Sequence, residues 1–119
     1  MTREEMKTRT KRYGLRVIKL VQALPANQIT RVLGSQLLRS GTSVGANYRA
    51  ACRAKSPADF INKLKIVEEE CDESLFWMEL IVESGAMSPR RLSGLMQEGD
   101  ELLSIVVASL KSKRSSKDS

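Results

Sequence analysis

The chain contains no histidine. This removes the commonest general base and the commonest transition-metal ligand, along with Ser-His and Glu-x-x-His arrangements. A non-enzymatic protein with no metal and no cofactor is therefore expected. Cysteine is nearly absent too. Cys52 and Cys71 fall on different predicted helices without C-x-x-C spacing, which reads as two reduced, buried or half-buried thiols. Aromatics make up only 4% of the residues, while Ala, Leu, Glu, Lys and Arg dominate, favouring helix over sheet. No apolar run approaches the ~20 residues that a membrane span requires. Charge begins at Arg3 with no apolar segment ahead of it, so no secretory signal is expected and the cytoplasm is the expected location.

What remains is ordinary in amount and uneven in distribution. At 119 residues, 41% hydrophobic and 29% charged, the chain suits a single domain with one core. The net charge of +6 conceals an asymmetry. Residues 1–65 carry fourteen Lys/Arg against three acids, a net of +11, and residues 66–119 carry six against eleven, a net of −5. Such a split suits either a polyanionic partner for the basic half or mutual neutralisation across a subunit contact.

The stretch from Ser56 to Gly85 organises the rest. Phe60, Leu64, Val67 and Cys71 are spaced 4, 3 and 4, which lays one face of a helix on a core. Leu75, Met78 and Val82 continue that stripe, while Phe76 and Leu80 point the opposite way and Trp77 shares a flank with Ile66. A segment apolar on nearly every side must be covered on every side, and a small bundle covers one only. Self-association through Phe76, Trp77, Leu80 and the neighbouring Glu73 is therefore expected. Glu73 is expected to take a cation from Arg49 or Arg53. The acids Glu68, Glu69, Glu70, Asp72 and Glu73 diverge around the helix, which disfavours a metal or acid–base site.

In chain order, residues 1–8 are expected to be flexible, a bundle should occupy 9–110, and 111–119 should form a disordered basic tail. A first helix from Thr8 or Thr10 to Leu24 carries Tyr13, Val17, Leu20, Val21 and Leu24 inward and ends at Pro25. Arg9, Arg12, Arg16 and Lys19, spaced 3, 4 and 3, form an acid-free row along its flank. A second helix, capped by Asn27, turns Ile29, Leu33, Leu37 and Val44 inward. Its small-residue segment Ser40–Asn47, with Gly41 and Gly45 four apart, suggests close approach of another helix and lacks the pattern of a phosphate loop. Arg49, Arg53 and Lys55 make a second basic group. Ser56-Pro57-Ala58-Asp59 opens the third helix and Gly85 closes it. Ser88-Pro89 opens a fourth, with Leu92, Leu95, Gly99, Leu102, Leu103, Val106 and Leu110 on one face. The expected fold is all-α, an antiparallel up-down-up-down four-helix bundle that oligomerises through helix faces.

Three segments resemble a known family: Ser43-Val44-Gly45-Ala46-Asn47-Tyr48-Arg49, then Asp59-Phe60-Ile61-x-Lys63-Leu64, then Glu70-x-x-Glu73-x-x-x-Trp77-x-Glu79-Leu80. They look like the bacterial four helix bundle protein family, also called the 23S rRNA intervening-sequence protein family. The resemblance runs from about Tyr13 to Leu110. It implies a homopentamer of antiparallel bundles and distant kinship with the accessory protein of diversity-generating retroelements, a basic pentamer that binds nucleic acid and a reverse transcriptase. The family's Ala-Glu-Gly-x-x-Arg after the Asn is replaced here by Tyr48-Arg49-Ala50-Ala51-Cys52-Arg53, with Arg53 in the basic place. The functional expectation is an oligomer that binds RNA or DNA through Arg9, Arg12, Arg16, Lys19, Arg49, Arg53 and Lys55. The alternative is an interaction scaffold whose cations serve subunit pairing.

Overall fold

A computed structural model describes the backbone of residues 1–118 and the side chains of residues 1–113. Four helices follow one another: α1 (Arg3–Ala23), α2 (Gln28–Cys52), α3 (Pro57–Glu83) and α4 (Pro89–Asp118). Each packs on its neighbours in chain order and α4 closes back on α1, so α1 lies diagonal to α3 and α2 to α4. The result is an all-α four-helix bundle, a rod of 51 × 21 × 20 Å.

Local chemistry sets the helix ends. The Asn27 side chain accepts from the Thr30 N–H at 3.0 Å, and the Thr30 hydroxyl accepts from the Asn27 N–H at 3.2 Å, a reciprocal capping box. Ser56 Oγ accepts from the Asp59 N–H at 3.1 Å, with Pro57 at the first helical position. Asp59 also accepts from the Lys55 N–H at 3.0 Å and from Lys63 at 2.9 Å. Those donors, the Lys55 N–H first, hold its carboxyl below its usual range. At the other end Gly85 has φ +79°. Its N–H reaches Val82 O at 3.0 Å and the Ala86 N–H reaches Ile81 O at 3.1 Å, the paired bonds of a Schellman stop.

The N-terminus departs from the sequence expectation. Residues 3–8 belong to α1, so the helix starts earlier than Thr8. Thr2 caps α1 by accepting from the Glu5 N–H at 3.1 Å, and Glu4 and Glu5 suit the positive end of the helix dipole. Met6 is buried, extending the inward stripe to Met6, Thr10, Tyr13, Val17 and Leu20. Arg3 lies over the Phe60 ring at 4.8 Å, with Lys113 over the same ring at 5.7 Å. At the other terminus α4 runs to Asp118, past the boundary at residue 110 read from the sequence, and Ser119 lies outside the described residues. Ile29, expected inside, is 60% exposed, because α2 turns Thr30, Gly34 and Leu37 toward the core instead.

The α1–α2 seam is built on missing side chains. A Cβ on Gly41 would stand 2.7 Å from a methyl of buried Val17, and one on Gly45 would stand 3.2 Å from the Thr10 backbone. Gly99 plays the same part on α4, where a Cβ would meet Leu75 and the Tyr13 hydroxyl at 2.8 Å. A short polar string crosses the core here. Ser74 Oγ donates to Cys71 O at 2.7 Å, which leaves the Tyr13 hydroxyl to donate to Ser74 Oγ at 2.8 Å. Cys71 Sγ reaches Gly99 O at 3.4 Å. Among the described residues no buried side-chain polar atom lacks a partner. Both thiols are free, Cys71 buried and Cys52 half-buried.

Gly41→Ala is expected to cost about 1–3 kcal/mol by overpacking against Val17. Gly94→Ala, whose Cβ would meet only the end of Arg16 at 3.4 Å, should instead add up to about 1 kcal/mol of helix propensity. Urea unfolding of the two variants checks both signs. Burial raises the Cys71 thiol from 9.0 to about 12 and raises Tyr13 and Tyr48 from 10.0, Tyr48 to about 12. These groups keep their protons in the folded state while the unfolded chain releases them. Their stabilisation is present below those ordinary values and is lost as pH climbs from 9.0 toward about 12. Urea midpoints measured across that range should fall, and Cys71→Ala, less stable at neutral pH, should soften the early part of the fall.

Candidate functional site

The members of the row Arg9, Arg12, Arg16 and Lys19 differ in what they meet. Arg9 turns toward α4, where its guanidinium donates to both Glu98 oxygens at 2.8 and 2.7 Å and to Glu101 at 2.6 Å. This fork-on-fork pair holds the Glu98 carboxyl below its ordinary range, chiefly through the Arg9 hydrogen bonds. Arg16 packs beside Gly94 of the same helix and adds a favourable charge toward Glu98. Arg12 and Lys19 are exposed and have no ion-pair partner among the described residues.

Arg49 and Arg53 lie on the other side of α1. They form one wall of an open groove of about 510 Å³ between α1 and α2, and Lys7 and Lys11 form the facing wall. Gly14, Gly45 and Ala46 help line it between the two rows, and Leu15 and Ile18 line its far end. The lining contains no acid. Lys7 has a single partner, its helix neighbour Glu4 at 2.9 Å, and Lys11, Arg49 and Arg53 have none among the described residues. Lys7 and Lys11 were missed in the sequence reading, although their i, i+4 spacing in phase with Gly14 and Ile18 is the available signal. Lys55 stands apart, in a cleft of about 600 Å³ at the α2–α3 turn with Arg3, Phe60 and Lys113.

The outward side of α3 carries the remaining predicted residues. Glu73 takes its cation from Arg39, not from Arg49 or Arg53. Arg39 also reaches Glu70 at 3.0 Å, so one α2 cation serves two α3 acids a turn apart. Glu73 accepts from the Trp77 indole N–H at 3.2 Å, and Trp77 meets Phe76 edge-on at 5.2 Å between ring centres. Phe76 is 49% exposed, and Trp77 and Leu80 are half-buried. Val32 and Ile29, 57% and 60% exposed, lie toward the α2 end that this antiparallel register sets beside the C-terminal half of α3.

Among the described residues no group of three His, Cys, Asp or Glu side chains could hold a metal ion, and no helix is long and apolar enough to cross a membrane. The architecture is that of a small helical bundle with surface charge divided between faces and no metal centre among the described residues. The family model for the 23S rRNA-intervening sequence protein matches residues 4–108, and the chain belongs to that family. Among solved structures it is similar to a protein of unknown function from the S23 ribosomal protein family of Bacteroides thetaiotaomicron. The two are 33% identical over 89% of this chain and 98% of that one, with a TM-score of 0.84. No curated protein matches it.

Removing the Arg9 side chain tests how its charge is used. Arg9→Ala should lower stability by about 0.5–1 kcal/mol at neutral pH. Glu98, whose carboxyl is depressed, contributes stability present above its ordinary value of 4.5 and lost as pH falls, so the deficit of Arg9→Ala should shrink below that value. Thermal unfolding at neutral and acidic pH reads both.

Proposed function

We propose that this protein is a non-enzymatic, self-associating bundle that binds nucleic acid through its uncompensated cations. The observation that carries the reading is the acid-free α1–α2 groove, where Lys7 and Lys11 face Arg49 and Arg53. Like charges brought together at this density repel one another unless an anion neutralises them, and phosphates do so while releasing counterions. The apolar outward residues Phe76, Trp77 and Leu80 support self-association, which multiplies a modest patch by avidity. The family resemblance suggests five subunits. Arg12 and Lys19 extend the basic surface, whereas Arg9 is occupied by α4.

A second reading draws on the exposed acids of α3, Glu69, Asp72, Glu79 and Glu83. They offer a complementary surface to a neighbouring copy, making the protein a scaffold with no nucleic-acid ligand.

Fluorescence anisotropy with a mixed-sequence RNA and its DNA counterpart should show binding that weakens steeply between about 50 and 200 mM salt. Sedimentation should show an assembly that Phe76→Glu with Leu80→Glu breaks into smaller species. Salt-independent or absent binding would leave the scaffold reading, which requires charge reversal at Arg49 and Arg53 to dissociate the assembly.

A further inference from the structure

We propose that the α1–α2 groove holds the sugar–phosphate backbone of one nucleic-acid strand over a short track and leaves the bases unread. This rests on the nucleic-acid reading above and names its site, its footprint and its indifference to sequence.

The antiparallel register orders the cations. Gly14 packs against Gly41 and Thr42, and Gly45 against Thr10 and Lys11, so residue numbers rise in opposite directions along the two walls. Lys7 is thus level with Arg49, Lys11 lies one turn further toward Gly14, and Arg53 lies one turn beyond in the other direction. Four residues rise about 6 Å, so the four cations span a track of about 12 Å. The track is bounded. Past Lys11 the lining becomes Leu15 and Ile18, which offer a phosphate nothing.

The lining also decides what is recognised. Small residues, Gly14, Gly45 and Ala46, allow a phosphate chain to approach closely. Thr10 and Thr42 already donate their hydroxyl protons to Met6 O and Leu38 O at 2.9 and 2.7 Å, so the donors left to the groove are the lysines, the arginines and the exposed Thr8 hydroxyl at its edge. Two guanidinium forks suit phosphate oxygens geometrically, and two ammonium groups supply point charge. No aromatic and no Asn or Gln lines the groove, so stacking on aromatic rings and the paired amide contacts that read adenine have no side chain to use.

The test compares two charge-matched variants of the full chain. Lys11→Glu with Arg49→Glu alters the groove, and Arg90→Glu with Arg91→Glu alters exposed cations at the start of α4. The probes are 20-nucleotide single strands of mixed sequence, of uridine only and of adenosine only, and a mixed-sequence duplex. For the wild type, four cations should give a slope of log affinity against log salt of about −3 on single strands. The three single strands should agree within about threefold. The groove variant should lose at least about tenfold and flatten the slope, while the α4 variant changes little. Salt-dependent wild-type binding with no loss in the groove variant overturns the groove assignment and leaves the function standing. No wild-type binding overturns the function itself. A strong preference for one homopolymer overturns backbone-only recognition. Dissociation of the assembly in the groove variant, read by sedimentation with circular dichroism unchanged, gives the groove to a neighbouring copy and also overturns the proposal.

Discussion

The closeness of α1 and α2 is the constraint on which the surface chemistry depends. Val17 fills the space where Gly41 lacks a side chain, and the Thr10 backbone fills it at Gly45. In most bundles the side chains at such a seam hold the backbones apart, and charges beyond it diverge. Here the small residues let the helices approach, so residues flanking the contact converge on one shallow valley. Lys7 and Lys11 face Arg49 and Arg53 because Gly41 and Gly45 carry no side chain. The packing of apolar atoms thus sets the charge density of a solvent-facing groove. Placing like charges together is unfavourable, and the buried seam offsets that cost.

The core and the remaining charges fix the rest of the arrangement. The Tyr13–Ser74 hydroxyl bond ties α1 to its diagonal partner α3, and the Cys71 thiol ties α3 to the α4 backbone at Gly99. Direction matters in these bonds, so they constrain rotation of each helix as apolar contact alone does not. At the surface Arg9 engages Glu98 and Glu101 across the α1–α4 seam, and Arg39 engages Glu70 and Glu73 across the α2–α3 seam. Each arginine joins two acids one helical turn or less apart, a geometry that suits a single register. The α1–α2 seam carries cations on both sides of an acid-free groove, and there the helices pack through glycine.

Much of this was legible in the sequence, and the reasons differ by element. The caps at Asn27 and Ser56 and the stop at Gly85 are local chemistry within a few residues, so they can be read directly. The core stripe of α3 was legible because its apolar spacing is strict. The start of α1 was read too late because Met6 and Thr10 look unlike a core stripe, yet Thr2 three residues ahead of Glu5 is an N-cap signal. Ile29 was misplaced because the polar Thr30, tied back to the Asn27 cap, takes the inward position beside it. The partner of Glu73 was not legible at all. Arg39, Arg49 and Arg53 are equally plausible by charge, and only the sliding register of α2 on α3 selects Arg39. The same holds for the basic row of α1, which splits once α4 presents Glu98 to Arg9 and α2 presents Arg49 and Arg53 toward Lys7 and Lys11.

The diagonal placement of α1 and α3 bears on whether assembly and ligand binding compete. The outward apolar residues of α3 point away from the corner of the bundle that α1 occupies, and the groove lies beside α1 on the α2 side. A contact between copies that uses only α3 faces therefore leaves the groove open in every subunit, and the cation tracks add. Such a contact must tolerate Glu69 and Glu83 on the same outward side as Phe76 and Leu80. Two α3 faces brought together would concentrate acids as well as apolar groups, which favours a different, more basic surface on the receiving copy. Arg31 and Lys65 supply exposed cations outside the groove. A head-to-tail contact of that kind generates rings when its rotation closes, and it keeps one groove per subunit facing solvent.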